Sequence, residues 1–174
     1  TGKQKKEWMR KGDEHSPIVV EGRANKASLD VRIDDAKNVG MEGQTQDNPN
    51  SKASRVVKNV LEVFKSHPQA NQVIFTETGY NTSAQRSTGT KDANGKTIKE
   101  TVKTFSTVKD IVERLVQGGI PKDKIAIVDG STNKEKRKEI ADKMNKSEIR
   151  VVIGSTQTLG VGVNMQRNLR AMHH

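Results

Sequence analysis

The chain has 174 residues, no cysteine, and 31 lysines and arginines against 21 aspartates and glutamates, a net charge of +10. The length fits one domain that can bury a real core, yet only 31% of residues are hydrophobic and 3% aromatic, so apolar side chains must be concentrated in a few elements. Lack of cysteine excludes disulfides and thiolate metal sites, no apolar run approaches the roughly 20 residues that span a bilayer, and the basic excess favours a polyanion such as nucleic acid over a merely solvated surface.

A cytoplasmic, reducing setting with no membrane partner is the expectation. Residues 1–50 read as a basic N-terminal extension with short strands and a polar linker, and residues 51–174 as the folded domain. In the extension Trp8 and Met9 are the only large apolar side chains before Pro17, on a flexible arm or a docked helix. Ile18-Val19-Val20 and Leu29-Asp30-Val31-Arg32-Ile33 read as short strands, the second alternating as a half-buried strand does. From Asp34 to Asn50 the chain is polar and rich in Gly and Asn, a linker signal.

Ser51 opens a helix whose apolar positions Ala53, Val56, Val57, Val60, Leu61 and Phe64 form one stripe. It ends by His67-Pro68, because proline cannot continue a helix. Gln72–Glu77 reads as a buried strand. Thr78–Thr104 is polar and reads as a mobile stretch with a tight turn at Asn94-Gly95. Thr107 with Asp110 resembles a capping pair ahead of Val108, Ile111, Val112, Leu115 and Val116, and Gly118-Gly119 ends that helix. Ile125–Val128 is the next strand. Thr132 with Glu135 caps a helix through about Asn145, with Ile140, Ala141 and Met144 inward, and Ile149–Ile153 is a further strand. Alternating helices and buried, non-alternating strands imply right-handed crossovers and a three-layer α/β domain with a mostly parallel sheet and helices on both faces.

In such sheets ligands collect beyond the carboxyl ends of the strands. Three loops meet that description: Thr76–Gly79, Asp129-Gly130-Ser131-Thr132 and Ser155–Asn164. Each offers hydroxyls or glycine amides that suit phosphate. Gly95-Lys96-Thr97 imitates a phosphate loop, but Gly89 precedes Gly95 by five intervening residues rather than four and no buried strand leads into it. It reads as a surface turn. No acidic pair follows a strand to hold magnesium, no nucleophile stands beside a base in a motif, and the four histidines (His15, His67, His173, His174) do not have the convergence that zinc requires.

At these loops the sequence resembles the second RecA-like motor domain of superfamily-two helicases, most closely the Snf-type translocase branch. Ser51-Lys52, the following helix and Val73-Ile74-Phe75-Thr76-Glu77 resemble the approach to helicase motif IV. Asp129-Gly130-Ser131-Thr132 with Arg137 is similar to the family's Asp-Gly-Ser-Thr turn and the arginine after it. Ser155-Thr156 with Gly160, Gly162 and Asn164 resembles motif V, with Asn at 164 as in the Snf branch. A narrower resemblance, at Gly119-Ile120-Pro121 and Leu169–His174, is to helicase regions of large phage or plasmid polypeptides that also carry an adenine-specific DNA methyltransferase.

The resemblance implies an ATP-dependent DNA helicase or translocase, with this chain as its C-terminal motor domain. Thr76, Gly130, Ser131, Ser155 and Thr156 would then meet the nucleic-acid backbone, and Gly160, Gly162 and Asn164 the nucleotide. ATP and Mg would be held mainly by a first RecA-like domain. The arginine finger of motif VI is expected beyond His174, leaving the sheet truncated at its C-terminal edge, the domain without a catalytic residue of its own and the chain inactive alone; loss of such a finger costs about a thousandfold or more in related sites. The alternative is a non-catalytic basic α/β module that binds nucleic acid or protein, with a structural 155–164 loop. A Rossmann-type transferase is disfavoured because no glycine fingerprint follows the first strong strand.

Overall fold

The computed structural model describes residues 17–33, 48–81, 83–160 and 164–174. Trp8, Met9, His15, most of the 34–50 linker and Gly162 lie outside them. In chain order the elements are α1 (Pro17–Leu29), a 3-10 turn (Val31–Ile33), α2 (Lys52–Ser66), β1 (Asn71–Phe75), β2 (Ser83–Lys91), β3 (Thr97–Lys103), α3 (Thr107–Gln117), a 3-10 turn (Lys122–Lys124), β4 (Ile125–Val128), α4 (Lys134–Asn145), β5 (Val151–Gly154), α5 (Thr156–Leu159) and β6 (Leu169–His173). By its contacts the chain divides into two compact units, Ala53–Thr82 with Ser106–His174, and Thr1–Lys52 with Ser83–Phe105.

The larger unit is built on a four-stranded sheet of order β4-β5-β1-β6, every pair parallel. Its strands are apolar without alternation because both faces are covered. Successive side chains point to opposite faces, and β5 makes the consequence plain. Val151 and Ile153 pack with Ala53, Val57 and Val60 of α2 and Val108, Ile111 and Leu115 of α3. Val152 packs on the other side with Ile140, Ala141 and Met144 of α4. The expected α/β class, parallel sheet and two helical layers are therefore observed.

Buried polar side chains staple the layers at the amino edge of the sheet. Asn71 Nδ2 donates to the Met144 carbonyl at 2.6 Å and the Arg167 carbonyl at 3.0 Å. Gln72, fully buried, donates from Nε2 to Val60 O at 3.0 Å, and its Oε1 lies 3.0 Å from His173 Nε2. Arg150 donates to the carbonyls of Ala70 and Pro68, which fixes the turn between α2 and β1. Each bond satisfies a group whose burial would otherwise cost free energy.

Several expectations need correction. Ile18-Val19-Val20 lies in a helix, not a strand. Pro17 suits its first position, where no intrahelical N–H is needed, and no residue of α1 is buried: Ile18 is 82% exposed. Leu29–Ile33 is likewise no strand. The Asp30 carboxylate accepts from Arg32 N and Arg32 Nε, both at 2.9 Å, and curls the chain into the 3-10 turn, while the Arg32 guanidinium lies 4.1 Å over the Phe105 ring. Within Thr78–Thr104, β2 and β3 form an antiparallel ribbon. The tight turn at Asn94-Gly95 is present: Asp92 Oδ1 accepts from Asn94 N and Lys96 N, and Gly95 has φ 77°.

The helix caps sit one residue from where they were expected. Ser106, not Thr107, caps α3 by accepting from Lys109 N at 3.3 Å, and Asn133, not Thr132, caps α4 by accepting from Lys136 N at 2.8 Å. Beyond β1, Leu169–His173 forms β6 and pairs with it.

Candidate functional site

The parallel register brings three strand ends level. Phe75 pairs with Gly154, and Val128 pairs with Gly154 from the other side. The residues that follow, Thr76, Ser155 and Asp129, thus leave one edge of the sheet side by side. The three loops singled out from sequence share that edge.

The loop after β5 is tightly built. A Cβ at Gly154 would stand 2.6 Å from Leu159 Cγ, so glycine lets α5 fold back on the strand. Ser155 caps this four-residue helix: its Oγ accepts from Thr158 N at 3.1 Å, and Thr158 Oγ1 accepts from Ser155 N at 2.9 Å, a reciprocal capping box. Thr158 Oγ1 also lies 3.2 Å from the Val128 carbonyl, which ties the loop to β4. Gly160 N donates to Thr156 O at 2.8 Å and closes the helix.

Thr156 is exposed, and its backbone N–H donates to Glu77 Oε1 at 2.8 Å. A carboxylate from the β1 loop therefore takes the amide that a phosphate oxygen would seek at this helix start. Thr76 completes the link: its N donates to Gly154 O at 3.0 Å, and its hydroxyl donates to Thr78 O at 2.8 Å. Tyr80 donates to Thr76 O at 3.1 Å. Burial, then the nearby Glu77 and Asp129 carboxylates, pushes the Tyr80 phenol up to about 12, so it stays a neutral donor.

The loop after β4 is an Asx turn. Asp129 Oδ1 accepts from Ser131 Oγ at 2.6 Å, Ser131 N at 2.9 Å, and Thr132 N and Oγ1, both at 3.1 Å. The Ser131 hydroxyl is the chief reason the Asp129 carboxyl lies below its ordinary pKa. Arg137 Nε donates to Thr132 O at 2.9 Å and holds the end of the turn to α4. Gly130 and Ser131 are exposed, and a Cβ at Gly130 would meet nothing within 4 Å. Beside this turn a groove of about 600 Å³ runs between α3 and β4, lined by Tyr80, Val108, Val112, Ile127 and Asp129.

Thr76, Gly130, Ser131, Ser155 and Thr156 thus share one edge. Asn164 does not join them. Its carbonyl accepts from Asn145 Nδ2 at 2.7 Å, at the far end of α4 from the Asp129 turn. Twelve residues make α4 roughly 18 Å long. Gly160 lies between these places in the chain, and Gly162 is outside the described residues. Glu77 was legible only as the end of a strand; the contact that gives it a place in the site joins residues far apart in sequence, and no local signal announces it.

Gly95-Lys96-Thr97 belongs to the turn of the β2–β3 ribbon, where Gly95 N donates to Asp92 O at 2.9 Å. Among the described residues no loop has the form of a triphosphate cradle.

Comparison with known proteins gives a family match over residues 90–172, just under half of the chain, to the helicase conserved C-terminal domain. No curated protein matches the chain. Among solved structures it is similar to the C-terminal part of the Fun30 ATPase domain, with TM-score 0.43 and 20% identity over 76% of this chain and 35% of that one. It is also similar to the Pyrococcus furiosus Hef helicase domain, with TM-score 0.41 and 17% identity over 94% of this chain and 26% of that one. The chain therefore spans about a third or less of either structure. The segment that contains both the Asp129–Thr132 turn and the Ser155–Asn164 loop matches a helicase C-terminal domain.

Proposed function

We propose that this chain is the second motor domain of a Snf-type, ATP-dependent DNA helicase or translocase. Thr156 offers its hydroxyl, and Gly130 an unobstructed backbone, to successive phosphates at the carboxyl edge; Ser131 lies exposed beside Gly130 and would meet the same backbone once its hydroxyl leaves Asp129, with Thr76 and Ser155 shaping the loops. Such contacts carry no sequence information, as a moving motor requires. Gly160, Gly162 and Asn164 face the nucleotide, which a first RecA-like domain holds with its Mg. The separation of Asn164 from Thr156 agrees with a site that serves two ligands.

The observation that carries this reading is the in-register ending of β1, β5 and β4, which sets three phosphate-compatible loops side by side in a chain of net charge +10. The test is DNA-stimulated ATP hydrolysis by the polypeptide in which this domain is joined to its first motor domain. Thr156→Ala and Asn164→Ala should each lower turnover about tenfold or more, equivalent to about 1.4 kcal/mol of lost transition-state stabilisation. Unchanged turnover in both variants would remove the site assignment.

One observation favours the second reading, a non-catalytic nucleic-acid- or protein-binding module. The Ser131, Ser155, Thr76 and Thr158 hydroxyls all engage in hydrogen bonds within their own loops. In that case DNA binding should respond to salt and not to ATP in the joined polypeptide. A parent polypeptide that also carries a methyltransferase rests on the weaker resemblance at Gly119-Ile120-Pro121 and Leu169–His174. Those residues have structural duties of their own: Ile120 is fully buried, Pro121 precedes a 3-10 turn, and Leu169–His173 forms β6.

A further inference from the structure

The β2–β3 ribbon is inserted in the chain between β1 and α3 and has two unlike faces. In an antiparallel pair, residues directly opposite each other share a face, and that face recurs every second residue. The register sets Ser83, Gln85 and Ser87 opposite Lys103, Thr101 and Lys99, and, past an irregularity between Ser87 and Lys91, sets Lys91 opposite Thr97. Gln85 Nε2 donates to Thr101 Oγ1 at 2.7 Å across this face. All eight residues are exposed, and not one is acidic. The other face of β3 carries Ile98, Glu100 and half-buried Val102.

Among the described residues some lysines elsewhere stand beside acids, Lys58 with Glu62, Lys109 with Glu113, and Lys136 and Lys143 with Glu139, while others such as Lys65, Lys122 and Lys134 do not; what sets the ribbon face apart is that its cations share one face with no acid on it. Lys91, Lys99 and Lys103 make no ion pair with a described residue. A surface built only for solubility mixes both signs. This one sets three cations in a row roughly 20 Å long at about 3.4 Å per residue, among hydroxyls and an amide that donate to phosphate oxygens.

We propose that this face of the ribbon is a second nucleic-acid contact, gripping the phosphodiester backbone through Lys91, Lys99 and Lys103 without regard to sequence. The proposal does not depend on the assignment of the sheet-edge loops.

The test is fluorescence anisotropy with the whole chain, a labelled DNA duplex and a labelled single strand over a range of salt. Each lost phosphate contact lowers the slope of log K against log salt by about 0.9 for duplex and about 0.7 for single strands. Lys99→Gln combined with Lys103→Gln should therefore weaken duplex binding about tenfold at low salt and flatten the slope by about 2. Lys58→Gln with Lys65→Gln removes the same charge from α2 and should change affinity less than about twofold. Lys99→Arg with Lys103→Arg should bind as the original chain does. Equal weakening by the two glutamine pairs, loss in the arginine pair, or no weakening at all would overturn the proposal. The readout needs neither ATP nor a first motor domain, so its failure is distinct from failure of the turnover test.

Discussion

The sheet-edge loops and the β2–β3 ribbon both present hydroxyls to solvent, but they do so on opposite terms. At the sheet edge Asp129 accepts from Ser131 and Thr132, Ser155 and Thr158 cap each other, Glu77 accepts from Thr156 N, Thr76 donates to Thr78 O, and Thr158 reaches the Val128 carbonyl beneath. On the ribbon Gln85 donates to Thr101 across the face whose lysines have no ion pair with a described residue. The first arrangement fixes donors in advance and suits a contact that must recur with the same geometry at each step. The second relies on charge and tolerates any backbone that comes within reach. If both proposed contacts hold, one region would hold DNA loosely by charge and the other would grip it with defined geometry.

The contrast should first appear in stability. Ile153 is fully buried against α2 and α3 on the strand that carries the 155–160 loop, and Ile153→Ala should cost about 3 kcal/mol through lost transfer free energy and the cavity left behind. Val102, half-buried on the ribbon, should cost less than about 1 kcal/mol when changed to alanine. Urea denaturation of the two variants measures both. Equal costs would mean that the ribbon belongs to the same cooperative core as the sheet.

A smaller effect separates the Asp129 turn from ordinary surface turns. The Asp129 carboxyl is held below its usual pKa, first by the Ser131 hydroxyl. A carboxylate whose folded value is depressed contributes stability that is complete above its unfolded value of about 4 and is lost as pH falls through the folded value. The thermal midpoint of the original chain should therefore fall further than that of Asp129→Asn as pH drops from about 5 to about 3. Parallel curves would show that the turn draws nothing from the charge.

The same contrast explains what the sequence made legible. α2, α3 and the central strands were readable because burial on fixed faces dictates residue type at each position, as Val151, Val152 and Ile153 illustrate. The ribbon was not readable as strands, because both of its faces tolerate polar residues and no apolar alternation marks it. α1 misled for the converse reason: Ile18-Val19-Val20 has strand propensity but no packing to enforce it, and Val20 is 51% exposed. β6 escaped because Leu169-Arg170-Ala171-Met172-His173 is short and only weakly apolar, and its partner β1 is remote in sequence. In the candidate site, the loops were legible through glycine and hydroxyl composition. Their interlocking was not, since Thr158 to Val128 and Glu77 to Thr156 are contacts that only the fold creates.

Glu77 gives the finest test of the comparison. Its carboxylate accepts from Thr156 N at 2.8 Å, on an exposed edge proposed to receive phosphates. Two anions cannot use one amide, so DNA binding must displace Glu77 or leave that amide to it. Glu77→Gln keeps an oxygen able to accept the same bond and removes the charge, and an uncharged bond has roughly half the strength. If the edge receives phosphate, the glutamine variant should bind DNA about two- to fivefold more tightly at low salt, an advantage that shrinks as salt screens the repulsion. The ribbon lysines are unaltered in this variant, so a gain appearing equally in the Lys99→Gln, Lys103→Gln background assigns it to the sheet edge. Unchanged affinity in both backgrounds would mean that phosphate does not approach Thr156, and that the loop after β5 serves the fold alone.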